Sequence, residues 1–140
     1  MTPVYGVGVL VRRPDGLVLA VSRPYNAHDI SLPGGKVEIG ERPIDAAVRE
    51  MWEETWIRVR ELVPVYDTLC HGRRTITFLA TDWRGSPHST DEGLVYWAPT
   101  RWLVDDQSPT FRDHNVKMFR ALGIPIGGAG RAALAASRCA

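Results

Sequence analysis

Residues 35–54 carry the sequence Gly35-Lys-Val-Glu-Ile-Gly-Glu41-Arg-Pro43-Ile-Asp-Ala-Ala-Val-Arg49-Glu50-Met-Trp-Glu53-Glu54. The segment crowds glutamates behind a Gly-Gly turn, and three of them, Glu50, Glu53 and Glu54, fall on one predicted helix. Such a concentration of acidic side chains requires a compensating positive charge.

A helix is predicted from Pro43 to about Thr55. Pro43 suits the first helical position, because its missing N–H would have no partner there and its fixed φ matches the helix. At 3.6 residues per turn the three glutamates fall within an arc of roughly 100°. The opposite side carries an apolar stripe that we expect to face the core: Ile44, Val48, Met51 and Thr55.

The acidic arc breaks two local rules together. Like charges three or four residues apart disfavour an isolated helix by roughly 0.2–0.5 kcal/mol per pair, and Glu53 and Glu54 lie near the negative end of the helix dipole. Sites where local rules fail without local compensation are expected to be functional, and a hard cation with oxygen ligands, such as Mg²⁺, is the natural compensation. The alternative is a solvated acidic face with Arg49 as a loose counter-charge.

The spacing resembles the signature of the Nudix hydrolases. Its elements here are Leu32-Pro33-Gly34-Gly35, then Glu41 after five residues, Arg49-Glu50 after seven more, and Glu53-Glu54. The direct match covers the 26 positions 32–57, and the flanking strand pattern is compatible over most of residues 3–122. The resemblance implies an α/β/α sandwich that hydrolyses a diphosphate joined to a nucleoside or another group, using divalent metal ions.

One position departs from the family pattern, which has a glycine where this chain has Trp56. A glycine there predicts a left-handed helix C-cap, and a bulky residue in that conformation costs roughly 1–2 kcal/mol. We therefore expect the helix to end by another geometry, helped by the β-favouring Ile57 and Val59. Trp56 is expected to pack against Trp52 on the same face.

The resemblance also implies a metal site. Glu50 and Glu54 are the expected ligands, with Glu53 sharing the site and the Gly35 carbonyl adding an oxygen. Glu41 would bind more weakly or through water. Mg²⁺ is the expected ion, with Mn²⁺ as the alternative.

Arg49 resembles the family's orienting arginine, which holds a glutamate by a bidentate hydrogen-bonded pair and does not touch substrate. The general base is left open between Glu53 and an acid of the loop before residues 94–97, where Asp91 and Glu92 lie. A surface-loop role is the alternative for Glu92.

Substrate recognition is expected from loops outside the signature, with these candidates: Tyr25, Asn26, His28, Phe111 and Asp113. An aromatic ring can stack on a base, and an amide can bind its edge. Core packing is the alternative for Phe111, and a solvated loop explains Tyr25 and Asn26 equally well. Ala46 and Ala47 are expected to leave room for ions and phosphates, or are simply good helix formers.

Length and composition fit one ordinary globular domain of 140 residues. A net charge of +1 gives no large basic field, so nucleic-acid binding is not expected. Neither a long apolar run nor a leader is evident, which favours a cytoplasmic protein without a membrane partner. We interpret Cys70 as packing and Cys139 as part of a tail, because two cysteines make no disulfide framework.

Strand patterns occupy residues 4–12, 17–21, 57–69, 75–81 and 94–97, with a polar loop over residues 23–30. A second helix is predicted over residues 110–122. The order of strands, helix, strands and helix predicts an α/β fold with a mixed β-sheet flanked by helices. We expect one domain over residues 1–126 and a poorly ordered Gly/Ala-rich tail over residues 127–140.

The leading interpretation is Mg²⁺-dependent hydrolysis of a diphosphate linkage in a nucleoside triphosphate or another nucleoside diphosphate derivative. A catalytically silent nucleotide-binding sensor is the alternative, for which Trp56 is the only hint. A third is a structural α/β domain with a decorative acidic helix. A homodimer is compatible with either functional interpretation.

Overall fold

The computed structural model describes residues 2–129 of the chain. Its elements, in order, are β1 Gly6–Leu10, β2 Val18–Arg23, β3 Asn26–Ser31, β4 Gly34–Lys36, α1 Pro43–Thr55, β5 Arg58–Cys70, β6 Arg73–Arg84, β7 Val95–Ala98, a 3₁₀ helix Thr100–Val104 and α2 Arg112–Leu122. Helix α1 has the bounds expected from the sequence. None of the helices within residues 2–129 is long and apolar enough to cross a membrane.

The strands form two sheets. A four-stranded sheet has the order β4-β1-β6-β5, in which β1 runs parallel to β6 and the other neighbours are antiparallel. A three-stranded antiparallel sheet has the order β3-β2-β7. The sheets join where the Leu19 N–H donates to the Val11 carbonyl at 3.0 Å. The predicted mixed α/β fold is confirmed, and the second sheet is an addition to it.

Strand β1 separates two apolar cores because alternate side chains of a strand point to opposite faces. Val7 and Val9 pack in the cluster that includes Met51 of α1. Leu10 lies in the other cluster, with Met118 and Phe119 of α2. The two helices therefore cover opposite sides of the strands, which is the expected layered arrangement.

Residues 26–31 correct the expectation of a polar loop before the Gly-Gly turn. They form β3, which pairs with β2 through a two-residue connection at Pro24 and Tyr25. The polar pattern hid the strand because its first three residues are exposed while Asp29 and Ile30 are buried. The Asp29 carboxylate accepts hydrogen bonds from the N–H and hydroxyl of Thr110, which satisfies this buried acid.

The buried face of α1 includes half of the predicted stripe, since Met51 and Thr55 are buried as expected. Ala46 and Ala47 are fully buried, whereas Ile44 and Val48 are exposed. The expectation that the alanines flank an open space above the helix is therefore wrong. The helix is rotated because Glu50 and Glu54 face strand β4, and the small alanines allow α1 to lie close to the sheet.

Trp56 ends α1 in the left-handed conformation, with φ 64° and ψ 18°, and its N–H donates to the Trp52 carbonyl at 3.0 Å. The expectation of another helix-ending geometry is therefore wrong. Its indole stacks on the Trp52 indole, with 6.5 Å between the ring centres, and on the His88 imidazole, with 5.0 Å between the ring centres. These stacking contacts offset the strain that a bulky side chain has in this conformation.

The packed chain continues past the expected domain end at Ile126. The Gly127 N–H donates to the Thr100 hydroxyl at 3.0 Å, and the Trp102 indole N–H donates to the Ala129 carbonyl at 3.0 Å. The first residues of the expected tail are therefore held against the 3₁₀ helix. The remainder of that tail, including Cys139, lies outside the described residues.

Candidate active site

The Gly-Gly turn allows a carboxylate to lie on a strand. Gly34 and Gly35 pair with β1 in strand β4. A Cβ on Gly34 would overlap the Val7 carbonyl, and one on Gly35 would overlap the Glu50 carboxylate. Glycine is required at position 34 because backbone atoms occupy the space of a side chain, and a side chain at position 35 would force the Glu50 carboxylate to move.

Arg49 joins three segments of the signature. Its guanidinium donates to both Glu41 oxygens at 2.9 Å, which is a bidentate pair. It also donates to Glu50 at 2.9 Å, to Glu53 at 3.2 Å and to the Lys36 carbonyl at 3.0 Å. These bonds tie α1 to β4 and to the loop between them.

The same network separates the acidities of the glutamates. The hydrogen bonds from Arg49 lower the pKa of Glu41 to about 2. The pKa of Arg49 is raised, chiefly by its hydrogen bonds to Glu41. The Glu41 carboxylate therefore remains ionised at neutral pH, with both oxygens bonded to Arg49.

The pKa values of Glu54 and Glu50 are raised, whereas that of Glu41 is lowered. Burial raises the pKa of Glu54 to about 8, against the effect of the Gly34 N–H, which donates to its carboxylate at 2.7 Å. Burial also raises the pKa of Glu50, although Arg49 opposes the shift. The nearby charges of Glu53 and Glu92 add to both shifts.

The loop before β7 brings Glu92 to these carboxylates. Ser22 of β2 fixes this loop, since its N–H donates to the Leu94 carbonyl at 2.8 Å and its hydroxyl accepts from the Leu94 N–H at 2.9 Å. Gly93 lies so close to Ser22 that a Cβ would overlap the Ser22 carbonyl. Glu92 lines the same cavity as Glu50 and Glu54, whereas Asp91 does not.

The acidic residues fit a hard divalent cation by their chemistry. Glu50 and Glu54 are carboxylates with raised pKa values and negative neighbours, and a cation among them would relieve both the burial and the repulsion. Within residues 2–129 no three acidic, histidine or cysteine side chains converge with the spacing of a preformed metal site. Arg49 donates to one oxygen each of Glu50 and Glu53, and Gly34 donates to one oxygen of Glu54, so these donors leave the second oxygen of each carboxylate for an ion.

A cavity of about 710 Å³ opens beside the acidic residues. Its walls come from both sheets and both helices, and they include Glu50, Glu54, Glu92, Phe111 and Asn115. This volume is within the usual range for small-molecule sites. The carboxylates therefore line a space that can hold a nucleotide-sized molecule.

The substrate candidates from the sequence are only partly brought together. Phe111 lines the cavity, but Tyr25, Asn26, His28 and Asp113 do not. Tyr25 is 77% exposed, and the Asn26 side chain accepts the His28 N–H at 3.0 Å within β3. Glu53 also lies outside the cavity walls.

Two arginines of the cavity were missed by the sequence analysis. The Arg23 guanidinium lies 5.5 Å from the Phe111 ring, and that of Arg73 lies 4.1 Å from the Tyr5 ring. The Lys36 ammonium also lies near the Tyr5 ring, at 5.7 Å from its centre. Arg23 and Arg73 lie on strands that are distant in sequence, so the spacing of residues along the chain did not indicate that both line this cavity.

The sequence is similar to that of known proteins. The NUDIX domain model matches residues 2–122. A MutT-like protein of Streptomyces ambofaciens is 35% identical over 109 residues, which cover 75% of this chain and 68% of that protein. An RNA pyrophosphohydrolase of Pelagibacter ubique is 31% identical over 102 residues, covering 72% of this chain but 63% of the relative, which is less than two thirds of its length.

A solved structure supports the fold independently. The MutT protein of Methanosarcina mazei Go1 superimposes with a TM-score of 0.64 at 24% identity. The match covers 85% of this chain and 95% of the MutT chain. At this level of identity the similarity concerns the arrangement of strands and helices.

Proposed function

Because the chain belongs to the Nudix hydrolase family, we propose that it hydrolyses the diphosphate linkage of a nucleoside triphosphate or another nucleoside diphosphate derivative, with Mg²⁺ as its ion. The observation that carries the proposal is that Glu50, Glu54 and Glu92 all line one cavity of about 710 Å³. Three acids in one cavity suit an anionic substrate only when a cation lies between them.

Four groups are proposed to hold the ion: Glu50, Glu54, Glu53 and the Gly35 carbonyl. When bound, a divalent ion neutralises charge on the diphosphate oxygens and makes a bound water a better nucleophile at neutral pH. The raised pKa of Glu54 supports its role, since the ion would replace the proton that this carboxylate otherwise retains at neutral pH.

Arg49 is proposed to be a positioning residue. Its bidentate pair with Glu41 leaves one guanidinium nitrogen, Nη1, for Glu50 and Glu53. It therefore orients two proposed ligands from one side, and no substrate contact is assigned to it.

Glu92 is the better supported general base. It lines the cavity, whereas Glu53 is 44% exposed and is held by Arg49. A base must lie within hydrogen-bond reach of the attacking water, and a group on the cavity wall satisfies this more readily. The role proposed for Glu53 is then that of a metal ligand whose negative charge also raises the pKa of Glu50 and Glu54.

The remaining walls suit the two ends of a nucleotide. Phe111 offers a ring for base stacking, and Arg23 and Arg73 offer positive charge for phosphates. Arginine forms bidentate hydrogen bonds with phosphate oxygens and stacks on aromatic rings. This combination supports a nucleotide over an uncharged substrate.

The silent-sensor alternative loses its only support. That hypothesis rested on Trp56, which replaces a glycine of the family pattern. Trp56 takes the left-handed conformation that glycine would adopt, so α1 ends without displacing Glu53 or Glu54. The geometry therefore favours turnover.

The test is a panel of nucleoside triphosphates, ADP-ribose and dinucleoside polyphosphates, each incubated with Mg²⁺, Mn²⁺ or EDTA, with products separated by anion exchange. Wild type, Glu54→Gln, Glu92→Gln and the control Glu61→Gln are compared, because Glu61 is an exposed residue of β5 whose carboxylate accepts a hydrogen bond from the Thr81 hydroxyl, outside the cavity. Metal-dependent turnover that collapses in the first two variants and persists in the control supports the proposal. Metal-linked binding without turnover would favour the sensor and contradict it.

A further inference from the structure

A second concave surface lies on the flank of α1 that faces away from the acidic cavity. It encloses about 370 Å³ between α1 and the paired ends of β5 and β6. Its walls, here called the arginine notch, are Val48, Trp52, Arg58, Val59, Arg60 and Arg84. Trp52 and Glu54 lie roughly 160° apart around the helix, so the notch is separate from the proposed active site.

The notch holds three positive charges without acidic partners. Arg58 and Arg84 are direct register partners in the β5–β6 pair, and Arg60 follows at a register shift. Like charges directly opposite each other destabilise a strand pair. Within residues 2–129 none of these three arginines has a carboxylate within 4.0 Å.

Some other arginines of the chain are paired with a carboxylate. Arg42, Arg49 and Arg74 each contact a carboxylate at 2.7–2.9 Å. The acids beside the notch do not neutralise it, since Glu61 accepts from the Thr81 hydroxyl at 2.8 Å and its register partner Asp82 has no arginine within 4.0 Å among residues 2–129. The positive charge is left for a group from outside the chain.

An aromatic stack fixes the notch in place. The Arg58 guanidinium lies 4.2 Å from the Trp52 ring centre, and Trp52 is stacked on Trp56, which is stacked on His88. A guanidinium held over a ring loses less conformational freedom on binding. Trp56, in its left-handed conformation, is therefore part of the stack that orients Arg58.

We propose that the arginine notch binds the phosphate group of a small anion, either inorganic pyrophosphate or a nucleoside phosphate, on Arg58, Arg60 and Arg84. Guanidinium groups match phosphate oxygens bidentately. The anion would also remove the repulsion between Arg58 and Arg84. This binding site goes beyond the proposed catalytic function and requires no metal.

The test follows the ¹H–¹⁵N spectrum of the protein in EDTA while pyrophosphate, adenosine monophosphate or a 5′-phosphorylated oligoribonucleotide is added. EDTA keeps phosphate from binding the acidic cavity through metal. The probes are the Trp52 indole N–H and the arginine Nε–H signals. Arg58→Gln/Arg84→Gln and the two single variants, Arg58→Gln and Arg84→Gln, are compared with Arg120→Gln, which replaces an exposed arginine on α2 and matches each single variant in charge.

We expect saturable shifts at Trp52 and Arg58 with pyrophosphate or the monophosphate, and the better ligand identifies the source of the phosphate. Affinity should fall about tenfold or more in the double variant and stay unchanged in Arg120→Gln, with all variants folded by circular dichroism. Absence of saturable shifts, equal weakening in Arg120→Gln, or binding of the oligoribonucleotide alone would each overturn the proposal.

Discussion

The Glu54 carboxylate on α1 accepts a hydrogen bond from the Gly34 N–H at 2.7 Å, so the end of the acidic helix is joined directly to the Gly-Gly turn. The sequence separates the two residues by twenty positions. This bond holds a partly buried acid beside Glu50, and burial raises the pKa of Glu54 to about 8.

Stability without metal should depend on pH through Glu54. Its pKa rises from 4.5 in the unfolded chain to about 8 in the folded one, so the folded state binds more protons between these values. The free energy of unfolding in EDTA should therefore fall as pH rises from 5 to 8, by at most about 1.4 kcal/mol per unit from this group. Urea titrations at several pH values measure it.

Glu54→Gln should reduce that pH dependence, because the amide does not titrate, and should leave the contribution of Glu50, whose pKa is also raised by burial. Glu41 does not confuse the comparison, since its pKa of about 2 leaves it ionised throughout this range. Glu61→Gln is the control and should keep the wild-type slope. An unchanged slope in Glu54→Gln would show that another group is responsible.

Gly35→Ala should displace the Glu50 carboxylate, because the added Cβ overlaps it. A shift of about 1 Å in a catalytic group can lower the rate about 100-fold, and we expect a loss of kcat of that order. Gly127→Ala is a matched control, since nothing lies within 4 Å of its added Cβ. The kcat of both variants is measured by steady-state kinetics on the best substrate of the panel. Full activity in Gly35→Ala would refute the proposed ligand geometry.

Arg49→Lys should keep the positive charge but lose the bidentate pair with Glu41 and the bonds to Glu50 and Glu53. Loss of a group that orients metal ligands typically lowers metal affinity or activity about 10–100-fold. Activity should fall by this factor, and the concentration of Mg²⁺ giving half-maximal rate should rise. Activity equal to wild type would mean that charge alone is sufficient.

Substitutions at Trp56 should follow backbone preference. Trp56→Gly removes the left-handed strain and the stacking together, so the melting temperature should change little, and the metal dependence of turnover should persist. Trp56→Val keeps a strained backbone without the stack and should be the less stable of the two. Differential scanning fluorimetry ranks them, and a valine variant as stable as the glycine variant would contradict the φ of 64°.

The sequence predicts best where the relevant residues are close along the chain. Glu50, Glu53 and Glu54 follow from helical spacing, and the bounds of α1 follow from Pro43 and the apolar pattern. The orientation of the helix does not follow, because Ala47 and Val48 are both apolar and only the position of the sheet decides which is buried.

Contacts between strands lie beyond what one sequence conveys. Arg23 and Arg73 reach the cavity from β2 and β6, which belong to different sheets. Strand β3 was hidden because its polar residues are exposed, and its pairing with β2 supplies the stabilisation that its composition does not. Trp56 shows the same limit, since its partner His88 lies in a loop more than thirty residues away.

Titration calorimetry with Mg²⁺, in the presence of a non-hydrolysable nucleoside triphosphate analogue and with the heat of Mg²⁺ binding to the analogue alone subtracted, tests the metal site most directly. The account predicts saturable uptake of the ion by wild type and Glu61→Gln, and its loss in Glu54→Gln. No uptake by wild type, or equal uptake by Glu54→Gln, would contradict it.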